Sequence, residues 1–298
     1  MDVLLFSTTD MQAGRDALRD RMLASLLDTE RSLGGAQLTL HLLLQNCGDD
    51  ELRAFAGSAP AFVRPVGVPG RVPLSTARNL MLRPLLTQRA IRPDALIGFP
   101  DDDCWYPAGF LRQVVALFQG DATLGLWFCR YGSQPLETRF AETAPRSARM
   151  SEVVRNASSN TLFLRGRVVD AVGEFDETLG IGTPLGGAED LDYALRAHRV
   201  AGKTAYGAAV LVGHRDKSPE TRVRYYTSSL IVLARHARHG TWRELLRKVA
   251  IGVYHTLRGE LGCATFAAAL RRASCGAIRS EAGSPRGRHA KDAAVRMK

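Results

Sequence analysis

The chain has 298 residues, a formal net charge of +10, 45% hydrophobic and 23% charged residues, proportions that exclude wholesale disorder and collagen-like or coiled-coil architectures. The charge is unevenly placed: residues 215–298 hold 18 Lys/Arg against 6 Asp/Glu, while residues 1–214 hold 22 against 24. A near-neutral body with a basic C-terminal third reads as a catalytic or binding domain with an electrostatic anchor, and makes nucleic acid an unexpected partner.

The opening MDVLLFSTTD reads as a buried strand over Val3–Phe6 ending in Ser-Thr-Thr, not as a secretory signal. Leu18, Met22 and Leu26 then fall at helical spacing within 14–27. Gln37–Leu44 returns to strand character and ends in the polar turn Asn46 to Asp50, and Ala61–Val66 is a third strand. A helix is expected over 75–86 with Ser75 as its cap. Ala95–Phe99 is the next buried strand, followed by Pro-Asp-Asp-Asp. Residues 131–156 read as an irregular loop, Ser158–Leu164 as a strand and Arg165–Val172 as a short helix. The glycine-rich Gly180–Gly187 feeds a helix at Ala188–Val200, and Ala208–Val212 is a last strand before His214. Helical patterns cover 218–239, 242–257 and 262–274, and the aperiodic end is expected to be disordered. Five cysteines without CxxC spacing argue against a disulfide framework or zinc site and point to a reducing, cytoplasmic compartment. No run approaches the ~20 apolar residues of a membrane span.

The β-α-β order specifies an α/β domain around a mostly parallel sheet, in which ligands sit outside the carboxyl ends of the strands. Three strands end in polar clusters, at Ser7–Asp10, Asn46–Asp50 and Asp101–Asp103, so these should converge on one edge. Three adjacent carboxylates after a buried strand ask for a cation, and a hard divalent metal is the natural one; the alternative is a solvated turn capping the helix near Pro107. Glu189-Asp190 in the first turn of a helix suits the macrodipole alone, or supplies an ionised general base as well. His214 is a structural histidine or, given the carboxylates, a metal ligand. Arg78 could bind phosphate or buttress the acidic cluster. His236 and His239 read as an exposed basic face. No GxxxxGK[ST], GxGxxG after the first strand or GxSxG is present, which removes P-loop, dinucleotide-binding and α/β-hydrolase readings.

In order, LLFSTTD, LLLQNCGDD, STARNLML, LIGFPDDDCWYP, SSNTLFLRGRVVDAVGEFDETLG, GGAEDLDYALRAHRVAG and VGHRD resemble the family-2 inverting glycosyltransferases with the GT-A fold, over about residues 3–239. The resemblance implies a three-layer GT-A-type sandwich at 1–215, a basic helical extension at 216–280 and a disordered tail at 281–298. It implies that Thr8 and Asn46 line the nucleotide, and that Arg78, Asn79, Asp101 and Asp102 bind the nucleotide-sugar. Asp103, His214 and Asp101 would hold Mn or Mg, Asp190 would be the catalytic base, and Glu189, Asp192 and Gly187 would lie on the acceptor side. Gln45-Asn46 stands where the family usually has two aspartates, and residues 87–94 look like an insertion. The implied reaction moves a sugar, of hexosyl type, from a nucleotide-diphospho-sugar to a saccharide or lipid-linked saccharide in polysaccharide biosynthesis. Two alternatives stand beside it: a sugar-phosphate nucleotidyltransferase, and a non-catalytic basic membrane-associated binding protein.

Trp242, Leu245, Leu246, Val249, Val253 and Leu257 fall on one broad face of a helix flanked by Arg243, Arg247, Lys248 and Arg258, with Arg271-Arg272 further on. This region is expected to rest on the inner face of the plasma membrane, or else to pack on the catalytic domain.

Overall fold

The computed structural model describes residues 1–33, 36–136, 145–216 and 223–282. Two compact units divide the chain, Met1–Ser229 and a second beginning at Leu230. The first is built on strands β1 (Val3–Asp10), β2 (Leu38–Gln45), β3 (Val63–Gly67), β4 (Leu96–Gly98), β5 (Leu124–Gly132), β6 (Arg146–Ser147), β7 (Leu162–Arg165) and β8 (Lys203–Gly213). They form one sheet in the order β3-β2-β1-β4-β7-β5-β8-β6. All pairs among β1 to β4 are parallel, as is β5 with β8, while β7 runs antiparallel between β4 and β5, and β6 is antiparallel at the edge. Two reversals at β7 leave β4 and β8 pointing the same way, so Asp101 and His214 emerge on one edge of the sheet.

Helices α1 (Asp16–Ser32), α2 (Asp49–Ser58), α3 (Leu74–Thr87), α4 (Phe110–Gly120), α5 (Met150–Asn156), α6 (Gly166–Val172) and α7 (Glu189–Val200) accompany these strands. Covering on both faces explains why successive residues Leu5 and Phe6 of β1 are both fully buried. Leu5 belongs to the main apolar cluster with Met22, Leu40, Trp127 and Phe163. On the opposite face Phe6 stacks on Phe99 at 5.7 Å, and Phe99 meets Phe175 and Tyr193 edge-on at 5.0 and 5.4 Å. This second cluster fixes the start of α7 over the end of β4, because Phe175 and Tyr193 lie flat on each other at 4.1 Å.

Several expectations change. The apolar run from Leu124, unassigned from sequence, is a buried strand of the sheet that extends to Gly132, past the start of the loop expected at 131. The polar turn after β2 becomes the start of α2, with Glu51 accepting the Gly48 N–H at 2.8 Å. Ser75 lies inside α3 and not at its cap: its hydroxyl donates to Leu179 O at 2.8 Å, tying the helix to a loop about a hundred residues away. Ser159–Thr161 is a turn of 3-10 helix before the strand β7. The loop expected over 131–156 contains β6 and α5; its residues 137–144, with 217–222 and the tail from 283 on, lie outside the described residues.

Helix α8 (Tyr226–Arg235) crosses into the second unit, which continues with α9 (Trp242–Leu257) and α10 (Cys263–Ala282). His236 is buried, not on an exposed face. On α9, Leu245 and Val249 are half-buried while Trp242, Leu246, Val253 and Leu257 are exposed, so the six apolar residues do not share one outward face. No helix among the described residues is long and apolar enough to cross a membrane.

Candidate active site

Parallel pairing brings all three polar strand ends to one edge. At the ends of β1 and β2, Gln45 Nε2 donates to Thr8 Oγ1 at 3.0 Å while Gln45 Oε1 accepts the Val72 N–H at 2.8 Å. Asn46 takes a left-handed φ of 52° and donates to Asp10 Oδ1 at 2.8 Å. Thr8 and Asn46 stay half-exposed there, on the edge that carries the acidic cluster.

The three aspartates after β4 face different partners. Asp102 is buried in the fork of Arg15, with Nε at 2.8 Å from Oδ2 and Nη2 at 2.5 Å from Oδ1, so its carboxylate is committed to the protein rather than to a donor. Asp103 lies 2.8 Å from Arg215 Nη1 and 3.3 Å from Arg15 Nη2. Asp101 meets Arg78 Nη2 at 3.2 Å and Ser159 Oγ at 3.3 Å. Two backbone hydrogen bonds of 2.9 Å between Trp105 and Gly213 lock β8 against the segment that follows the aspartates. They bring His214 Nε2 to 3.0 Å from Asp103 Oδ1 and 3.7 Å from Asp101 Oδ2. Gly213 is required, since a Cβ would fall 2.0 Å from the Trp105 ring.

One donor atom each from Asp101, Asp103 and His214 lie within 4.8 Å of one another. His214 Nδ1–H donates to Arg215 O at 2.9 Å, which in the neutral ring leaves the Nε2 lone pair aimed at the carboxylates. That buried nitrogen is close to Asp103 yet lacks the alignment of a hydrogen bond. An imidazolium would make this an ion pair; with the ring neutral, the two carboxylates and the imidazole converge so that they could hold a divalent ion. Burial pushes the Asp101 carboxyl up to about 6 against the pull of Arg78. Burial would raise Asp103 too, but the His214, Arg215 and Arg15 cations outweigh it and hold it below the usual range. For His214, burial opposes the charged ring, yet Asp103 and Asp101 raise its pKa above 6.5.

Asp190 stands in the first turn of α7, after Ala188 in a left-handed φ of 68° uncommon for a residue with a Cβ. Its Oδ1 accepts from Arg78 Nη1 at 2.8 Å and its Oδ2 from the Ser159 N–H at 2.9 Å. Burial disfavours its charge, but Arg78 and the Ser159 N–H prevail and keep it ionised. Glu189, buried beside it, is pushed up to about 7 by burial and by the Asp190 charge, against the pull of Arg78. Arg78 is 1% exposed and bridges Asp101 and Asp190, so it buttresses the cluster and does not face a phosphate.

Asn79 is also fully buried. Its amide donates to Phe175 O at 3.0 Å and Glu177 Oε1 at 2.9 Å, and its Oδ1 accepts the Phe175 N–H at 2.9 Å. It therefore clamps the GEFDE loop and leaves donor contact to others. Asp192 is buried and paired with Arg196 at 2.8 Å, one turn along α7. Gly187 sits under the Tyr225 ring, where a Cβ would come within 2.4 Å. Of the acceptor-side candidates, only Glu189 adjoins the cluster. Arg15, Ser159 and Arg215 complete the site and were not singled out from sequence; only the SSNT segment and the residue after His214 pointed near them.

No family model matches the chain, and no curated protein does. Solved structures share the fold. Staphylococcus aureus TarS (1–349) superposes with a TM-score of 0.54 at 13% identity, over 94% of this chain and 89% of that one. Its complex with UDP gives 0.60 at 13% identity over the same shares, and its complex with UDP-GlcNAc gives 0.56 at 12% identity, over 86% and 73%. The mixed sheet and helices described here are thus the GT-A-like fold of TarS.

Proposed function

We propose that this chain is a metal-dependent inverting glycosyltransferase, of hexosyl type, that moves a sugar from a nucleotide-diphospho-sugar to an acceptor hydroxyl. The observation that carries the reading is the single buried guanidinium of Arg78, which joins the metal-ligand candidate Asp101 to the base candidate Asp190 at 3.2 and 2.8 Å. Two chemical functions are thereby held a few ångströms apart on the ligand-binding edge of the sheet. The fold neighbour TarS, solved with UDP and UDP-GlcNAc, makes uridine nucleotides the first donors to test.

Asp101, Asp103 and His214 would hold a Mn or Mg ion, which when bound neutralises the leaving diphosphate. Thr8 and Asn46 line the nucleotide. Asp190, kept ionised by Arg78 and the Ser159 N–H, takes the proton of the acceptor hydroxyl as it attacks the anomeric carbon from the face opposite the diphosphate. That in-line path inverts the centre. Glu189, whose carboxyl burial and the neighbouring Asp190 charge push up to about 7, is the acceptor-side candidate beside that base. The acceptor is a saccharide or lipid-linked saccharide of polysaccharide biosynthesis, met in the cytoplasm. Nucleotidyl transfer is disfavoured because Arg15, the first basic residue after β1, is occupied by Asp102 and Asp103 instead of being free for a triphosphate.

Incubation with UDP-, GDP-, dTDP- and CDP-sugars, with and without Mn²⁺, tests this. Metal-dependent release of one nucleoside diphosphate, lost in Asp190→Asn, is expected. No release from any of them, with or without metal, would overturn it.

A further inference from the structure

Helix α9 is apolar on two sides. Its inward side carries buried Gly252 and half-buried Leu245 and Val249, as any surface helix does. At about 100° per residue, Trp242, Leu246, Ala250, Val253 and Leu257 form a second stripe roughly 80° wide. That stripe faces out: Trp242 is 52% exposed, Leu246 61% and Leu257 83%. Arg243, Tyr254, Arg247 and Arg258 occupy the adjoining arc and are exposed as well. The Arg243 guanidinium lies over the Trp242 ring at 5.1 Å, and Arg258 donates to Tyr254 OH at 3.1 Å while pairing with Glu260.

We propose that this face of α9 seats on an anionic lipid surface, with the leucines and Val253 in the acyl boundary and the arginines at the headgroups. Three features select lipid as the occupant. The stripe is bordered by a ridge of cations, which an anionic surface attracts and an apolar protein groove would have to desolvate. Trp242 and Tyr254 supply the amphipathic rings that settle at a bilayer interface. The same charge sign extends through the C-terminal third, with 18 basic against 6 acidic residues over 215–298. An antiparallel second copy fits poorly, since two-fold pairing of the stripe in that sense would lay one arginine ridge along the other. The proposal is independent of the donor assignment, because vesicle binding needs no nucleotide.

Co-sedimentation of the full chain with vesicles of phosphatidylcholine alone, and of phosphatidylcholine with phosphatidylglycerol, tests it at low and high salt. Binding to the anionic vesicles that weakens as salt rises is expected. Leu246→Glu with Leu257→Glu should lower partitioning at least tenfold, and Arg243→Gln with Arg247→Gln about 5-fold per arginine. Both pairs are exposed, so thermal unfolding of the variants should match wild type. Equal partitioning onto both vesicle types, or none onto either, would overturn the proposal. So would a concentration-dependent dimer that the leucine variant abolishes, or preferential capture of nucleic acid by the arginine ridge.

Discussion

Replacing Arg78 by methionine keeps most of the side-chain volume and removes the charge that two buried carboxylates share. With an effective dielectric near 20, contacts of 2.8 Å to Asp190 and 3.2 Å to Asp101 correspond to about 6 and about 5 kcal/mol of attraction. Desolvation of a guanidinium that is 1% exposed offsets much of this. Breaking a buried pair by removing one partner leaves a net loss of about 3–5 kcal/mol. For a unit of this size that lowers the unfolding temperature by about 6–20 °C. The loss depends on pH. Without Arg78, Asp101 and Asp190 have folded-state pKa values above the ordinary 3.8, so the folded state binds their protons more tightly than the unfolded. Such groups stabilise the fold at low pH, and that contribution disappears as pH rises through the folded value. R78M is therefore weakest at pH 8 and recovers toward pH 5. The double variant R78M/D190N should be less destabilised at pH 8 than R78M alone. Thermal melts of the three proteins at both pH values decide it. Wild-type stability of R78M at pH 8, or a deficit that grows on acidification, would refute the reasoning.

Asp190→Asn should lower turnover by about 10²–10⁴ with little change in donor affinity, read from steady-state kinetics beside calorimetry; near-normal turnover would move the base elsewhere. Mn²⁺ affinity should be full at pH 8 and fall toward pH 5, because His214, raised above 6.5, and Asp101, at about 6, must both lose a proton to bind it; a titration with constant affinity across that range would contradict the ligand set. Asn79→Ala should destabilise the fold by about 1–3 kcal/mol for each Phe175 backbone group it strands, measured by urea unfolding, while the folded protein binds donor as wild type does; a selective loss of donor affinity would return Asn79 to the donor site.

Strands buried on both faces write continuous apolar runs, so β1, β2 and β4 were legible, and with them the edge where ligands sit. Leu124–Gly132 carries the same signal, but it ends in Arg130-Tyr131-Gly132 and no acidic cluster drew attention to it. The carboxylates and His214 could be read because each follows or opens a recognisable element. Of their cations, only Arg78 could be read, as a possible buttress of the acidic cluster and without its partners. Arg15 reaches Asp102 across 87 residues and Arg78 reaches Asp190 across 112, pairings set by sheet order and not by local pattern. Asn79 shows the reverse case: the ARN segment marks the right neighbourhood, yet the backbone course of Phe175 decides what the amide does. On α9 the spacing identified apolar positions, while only the packed fold divides Leu245 and Val249 from the exposed Leu246 and Leu257.

The proposed reaction requires a metal held by Asp101, Asp103 and His214 beside the nucleotide. Calorimetric titration of UDP into the wild-type protein and Asp103→Ala, each with and without Mn²⁺, tests this most directly. The proposed function predicts UDP binding that strengthens with Mn²⁺ in the wild type and loses that dependence in the variant. Metal-independent binding by the wild type, or unchanged metal dependence in Asp103→Ala, would contradict it.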